Sequence, residues 1–184
     1  MKRIPTTCLS LVFTFCAQAS VAQQPILSPR DSTEVRLSGH RIFISYGSPS
    51  MRGRKIFGGL RPYNVWWRTG ANEATSFVTE TDLIMGDSVV PKGEYTLYTM
   101  PAETKWTLMV NKETGQWGTV YHPEYDLFRL PLGKRTLREP VEKLKIALEK
   151  TNSKSGILKI SWETTEVWID LKVSNNKKNG QKGK

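Results

Sequence analysis

The 184-residue chain carries a formal charge of +10, and six of its basic residues lie in its two ends, which leaves about +4 on the body. No nucleic-acid motif accompanies that charge, so a polar, solvated tail accounts for the pI of 9.7 better than a nucleic-acid interface does. The two cysteines, Cys8 and Cys16, lie in the first 16 residues, which excludes a disulfide-stapled scaffold and leaves stability to a packed core.

Met1 to Ala22 reads as a secretory signal peptide. Lys2 and Arg3 supply the positive start, Leu9 to Phe15 the apolar run, and Ser20-Val21-Ala22 the small residues at the cleavage point, with Ala17-Gln18-Ala19 as a second option. The run is far shorter than the ~20 residues a bilayer span takes, and Phe13-Thr14-Phe15 before Cys16 is too bulky for a lipoprotein signal. The expectation is an exported protein, periplasmic first and secreted second, with no membrane span. Residues 23–173 then form one domain, and the Gly/Asn/Lys-rich end 174–184 a basic disordered tail.

Past a loop at Pro25 to Ser32, Arg41 to Tyr46 alternates apolar and polar residues with a period of two and predicts the first strand, ended by Pro49. Thr75 to Glu80 resumes the pattern. Leu83 to Val90 reads as a tight hairpin about Gly86-Asp87. Glu94 to Met100, Lys105 to Asn111 and Asp126 to Leu130 follow as strands. Val141 to Lys150 fits helix or strand, and its neighbours favour strand. Ile157 to Glu163 and Glu166 to Val173 are read as two strands joined at Thr164-Thr165. Short strands with turn signals every eight to twelve residues predict an all-β, single-domain antiparallel β-sandwich, jelly-roll-like, of about eight to ten short strands.

Between the first strands lies Arg52 to Phe77, RGRKIFGGLRPYNVWWRTGANEATSF, the stretch richest in unusual residues. Its glycines and Pro62 argue against a long helix, leaving room for one turn at Val65 to Arg68. Seven cations (Arg36, Arg41, Arg52, Arg54, Lys55, Arg61, Arg68) separate Glu34 from Glu73 with no acid between them. Phe57, Tyr63, Trp66 and Trp67 are interleaved with them. Guanidinium groups match carboxylate and phosphate oxygens two at a time, and Trp and Tyr stack on a sugar or an apolar body. The segment therefore predicts a pocket for a small anionic or carbohydrate ligand, or a surface for an envelope protein. Arg54, Lys55, Tyr63, Trp67, Arg68, Asn72 and Glu73 are its candidate residues, with Trp117 and Tyr121 beside them. The competing reading is a solvated face over core aromatics, and Trp106 and Trp162, at strand spacing, belong to the core.

Catalytic and cofactor readings find little. Outside the leader only His40 and His122 could serve zinc, which takes several such ligands. Calcium-loop spacing is absent, Gly58-Gly59-Leu60 is not a P-loop, and there is no GxSxG nucleophile pattern. No cofactor or metal is expected. Glu73 is the one catalytic candidate, in a metal-independent hydrolase whose Arg68 would hold an anionic substrate. Its structural alternative is a buried ion pair with Arg68 that pins the intervening turn. A purely structural envelope protein is the third reading.

The runs GRKIFGGLRPYNVWWRTGANEATSF, PKGEYTLYTMP, KWTLMVNK and LREPVEKLKI resemble the DUF2911 family of exported bacterial proteins, common in Bacteroidota and related Gram-negative groups. The likeness covers roughly Leu27 to Val173, with Trp67 to Thr75 its most specific part. Family members usually carry one Trp before the Arg, so Trp67 takes the family position and Trp66 is a departure. The resemblance implies a periplasmic or secreted β-sandwich and implies no activity.

Overall fold

A computed structural model describes residues 27–175; residues 1–26, where the expected signal peptide falls, and those beyond Asn175, in the expected tail, lie outside the described residues. Among the described residues ten strands occur in chain order: β1 Arg30–Leu37, β2 His40–Gly47, β3 Thr75–Thr79, β4 Leu83–Met85, β5 Ser88–Val90, β6 Gly93–Met100, β7 Thr107–Asn111, β8 Asp126–Pro131, β9 Gly133–Lys150 and β10 Ser155–Val173. A short 3-10 turn, Pro123–Tyr125, precedes β8. Every pairing between these strands is antiparallel. One sheet has the order β1-β2-β3-β6-β7-β8, the other β5-β4-β10-β9. The domain is an all-β sandwich of two unclosed sheets.

The period-two pattern places the core. Ile42, Ile44 and Tyr46 of β2, Phe77 of β3, Tyr95 and Leu97 of β6, and Leu108 and Val110 of β7 are buried from the larger sheet. Leu83 and Met85 of β4, Leu144, Ile146 and Leu148 of β9, and Leu158, Ile160 and Trp162 of β10 join the same cluster from the smaller sheet. β6 is buried on both faces. Its outer side carries a second, smaller core of Ala74, Tyr98 and Met109, covered by Trp66, Met100 and Tyr121.

Three sequence expectations change. The chain is already a strand at Arg30, inside the expected loop; β1 is an edge strand whose first half is polar and exposed, so it gives no apolar alternation to read. Ile157–Glu163 and Glu166–Val173 are not hairpin partners. They are one strand, β10, paired with β9 from Gly156 to Trp168. The inward-facing residues change from even (Leu158, Ile160, Trp162) to odd (Val167, Ile169, Leu171) because the ladder slips on either side of Glu163, whose φ of 55° is left-handed. A bulge shifts parity as a turn does, without reversing the chain. Third, Val65 to Arg68 is not a helical turn but extends along β6: Trp67 N–H donates to Thr99 O at 2.7 Å and Thr99 N–H to Trp67 O at 2.8 Å. β3 pairs with β6 only as far as Leu97, so Trp67 continues the ladder where β3 leaves off.

Where β1 and β9 meet, side chains substitute for a ladder. The Ile146 N–H donates to the Tyr46 hydroxyl at 3.0 Å, Leu148 N–H to Thr33 Oγ1 at 3.0 Å, and Ser48 Oγ to Leu144 O at 2.7 Å. Met51 N–H donates to Glu142 O and Leu144 N–H to Pro49 O.

Candidate functional site

The central stretch first builds a plug for one end of the sandwich. Lys55 to Arg61 closes into a compact turn, with Arg61 N–H donating to Ile56 O at 2.8 Å and Gly58 N–H to Arg61 O at 2.9 Å. Gly58 has φ +75°, and a Cβ there would meet the Tyr63 ring at 2.8 Å, so the turn needs glycine twice over. Ile56 and Phe57 insert into the core. Phe57 sits edge-on to Trp67, Trp106 and Trp162, with centroids 6.0, 4.7 and 6.1 Å away, while Trp67 stacks on Trp162 at 5.8 Å. The Glu163 carboxylate, offered by the β10 bulge, accepts the N–H groups of Ile56 and Phe57, each at 3.3 Å.

Extended geometry then divides the Trp-Trp-Arg run between two faces. Consecutive residues of a strand-like segment point to opposite sides. Trp67 turns inward and is 2% exposed, its Nε1 donating to Gly70 O at 2.9 Å. Trp66 turns outward onto Tyr98 and Tyr121, 5.8 and 5.2 Å away, and Arg68 also leaves the core. Thr69 follows fully buried with φ 54°, a costly conformation for a β-branched residue. Three contacts hold it: its hydroxyl meets Trp67 O at 3.3 Å and Thr99 Oγ1 at 3.1 Å, and its carbonyl accepts the Thr75 hydroxyl at 3.1 Å. The strained residue fixes the direction in which Arg68 leaves the chain.

Arg68 lines a cavity of about 290 Å³ with Arg61, Val65, Trp66, Trp67, Gly118 and Thr119. Arg61 reaches it from the turn, its guanidinium carbon 5.8 Å from the Trp67 ring centroid. Arg68 Nη1 makes one long contact, 3.4 Å, to Gly118 O. The Nε groups of both arginines are buried with no hydrogen-bond partner, and neither side chain takes part in any ion pair among the described residues. Burial, and then the neighbouring Arg68 charge, lower the Arg61 pKa; burial lowers that of Arg68. An arginine keeps its proton in proteins, so two cations share this cavity without a counter-charge. Gly118 makes the arrangement fit, since a Cβ on it would lie 1.8 Å from Arg68 Cδ and 2.4 Å from Asn72 O.

The seven candidate residues do not converge on one point. Arg54 and Lys55 are exposed and lie outside the lining of this cavity. Arg54 folds back, its Nε donating to Met51 O at 2.9 Å and its Nη2 to Ser50 O at 2.8 Å. Tyr63 packs half-buried against the core. Trp67 is a buried core ring that also lines the cavity. Asn72 has φ 63° and ties the turn to the N-terminal segment through Nδ2 to Ser28 O, at 3.2 Å.

The expected Arg68–Glu73 ion pair does not form. Glu73 pairs with Arg30 at 3.3 Å in an exposed contact, and both line a different cavity with Gln116. The reason is the left-handed residues Thr69 and Asn72, which turn the chain so that Glu73 can bridge to Trp117 while Arg68 points elsewhere. In space the run of cations is opposed at its start, where Glu34 holds Arg41 at 2.6 Å and Arg36 at 3.7 Å. Arg61, one of the seven cations but not one of the candidate site residues, is the residue that sequence reasoning missed. Its position in a Gly-rich turn gave no sign of where the turn would deliver its side chain.

The class that fold and cavity define is a two-sheet β-sandwich with a cationic cavity at one end. The model of the family described as "Protein of unknown function (DUF2911)" matches residues 28–171, and the chain belongs to that family. No curated protein and no solved structure matches it.

Proposed function

We propose that the protein is an exported, non-catalytic binding domain for a small ligand bearing an oxyanion, and that Arg61 and Arg68 hold that oxyanion. One observation carries the reading: two partly buried guanidinium groups share a cavity with unpartnered Nε donors and no carboxylate. Desolvating like charges together is costly, and a bound anion removes that cost by supplying the missing acceptor and the missing charge. Guanidinium donors favour an anion over a neutral sugar. The leader-like sequence of Met1 to Ala22 supports a periplasmic location.

The hydrolase reading lacks support from the geometry, because Glu73 and Arg68 line different cavities. A purely structural role draws support from the Phe57–Trp67 plug, and the same experiment decides between it and binding. The purified protein is titrated with inorganic phosphate and with acetate at low and high salt, following the thermal midpoint and the heat of binding. Binding requires a saturable upward shift that weakens with salt and disappears in Arg61→Gln and Arg68→Gln. A midpoint that ignores both anions, or one that responds equally in the variants, leaves the structural role.

A further inference from the structure

A second cavity, of about 310 Å³, adjoins the cationic one, and Val65 and Trp66 form part of the wall of both. Its remaining apolar lining is Met100, Met109, Tyr121 and Pro123. Two of its polar side chains, Tyr121 and Arg129, are already paired. The Tyr121 hydroxyl donates to Asp126 Oδ2 at 2.6 Å, and Arg129 at the margin is paired with the same carboxylate at 2.8 Å. One cavity therefore holds positive charge without a partner, while its neighbour offers apolar surface with no charge left over. The thioethers of Met100 and Met109 can adjust to the shape of an apolar group. Ligand sites commonly combine such a lining with a few fixed polar anchors.

Resting on the anion site described above, we propose that the ligand is an amphiphilic carboxylate. Its head lies between Arg61 and Arg68, and its hydrocarbon or aryl body crosses the Val65–Trp66 wall into the apolar cavity. Trp66 is the pivot. Its outward ring, held on Tyr98 and Tyr121, is the surface along which the body would leave the head site.

The test is a chain-length series: acetate, butanoate, hexanoate, octanoate and decanoate, titrated calorimetrically into the purified protein, with octanol as the headless control. Each buried methylene should tighten binding about three- to four-fold, with a plateau once the apolar cavity is full, and octanol should bind far more weakly than octanoate. Met100→Gln, at a half-buried position that lines the apolar cavity and not the cationic one, should bring octanoate toward the affinity of acetate while leaving the acetate and phosphate responses intact. Arg68→Gln should abolish all of them. A flat series in which acetate binds as tightly as octanoate refutes the amphiphile and leaves the anion site standing. Octanol binding as tightly as octanoate refutes it too, because the head then contributes nothing. If no anion binds at all, the anion site itself has failed.

Discussion

The Tyr46 hydroxyl receives the backbone N–H of Ile146 at 3.0 Å, filling the place of a strand that β9 lacks on that side. Tyr46→Phe leaves that buried donor without an acceptor and should destabilise the protein by ~1–3 kcal/mol. Denaturant unfolding with an unchanged m-value would show that loss. Burial pushes the phenol pKa up to about 12, helped by the Asp31 carboxylate and opposed by the Ile146 backbone. The folded value lies above the unfolded one, so this contribution is whole below about pH 10 and is lost as pH rises toward 12. Tyr95, Tyr98 and Tyr121 are shifted upward as well. The quantity to follow is therefore the stability difference between native protein and Tyr46→Phe, which should shrink across that window.

Glu163 does two things at once, adopting a left-handed φ and clamping the Ile56 and Phe57 amides. Glu163→Ala loses the clamp and keeps the strain, for an expected cost of ~1–3 kcal/mol. Glu163→Gly loses the clamp but relieves the backbone. The order of stability in urea should be native, then Gly, then Ala. An Ala variant more stable than the Gly variant would show that the bulge is not strained.

Arg61→Met and Arg68→Met remove charges that have no partner. The apo thermal midpoint should stay level or rise, as for an exchange of function against stability, while the response to phosphate vanishes. A loss of ~3–5 kcal/mol, the signature of breaking a buried ion pair, would instead reveal a counter-charge.

Gly118→Ala should be costly for a different reason. The new Cβ meets Asn72 O, a backbone atom, as well as Arg68 Cδ. A cost of ~1–3 kcal/mol is expected from overpacking, together with a weakened anion response as Arg68 is displaced. Adding Arg68→Ala should recover part of that stability, and the double-mutant cycle should be non-additive.

Glu113 Oε2 lies 2.9 Å from Nδ1 of the exposed His122 and raises its pKa above the ordinary value by hydrogen bond and charge. The pair favours the fold fully below about pH 6.5 and ceases to do so as pH climbs through the folded value. Proton NMR should show the His122 midpoint falling toward 6.5 in Glu113→Gln.

The fold was legible wherever alternation was clean. Ile42, Ile44 and Tyr46, or Trp106, Leu108 and Val110, announce a buried face without help from distant residues. β1 was hidden because an edge strand with polar, exposed residues has no pattern to show. The joint between Trp162 and Val167 was misread because parity changes at bulges and hairpins alike. Thr164-Thr165 lacks the Gly or Asn that a two-residue turn calls for, and that absence was the available clue. At the site, sequence nearness was the misleading quantity. Arg68 and Glu73 are five residues apart yet line different cavities, and Arg61 finds Arg68 because a Gly-rich turn doubles back. Trp67 looked like a ligand platform, but burial on an extended segment depends on which face the register selects, and its neighbour Trp66 took the outer one.

The seam of hydroxyl groups along β9 also bears on self-association. A long exposed edge with free N–H and C=O groups recruits other strands, and chains aggregate by such pairing. Here Thr33, Tyr46 and Ser48 occupy the Leu144–Leu148 part of that edge, and the stretch before Val141 bears Lys134, Arg135, Arg138 and Pro140 beside an irregular ladder. Along these stretches β9 presents no open template for a further strand.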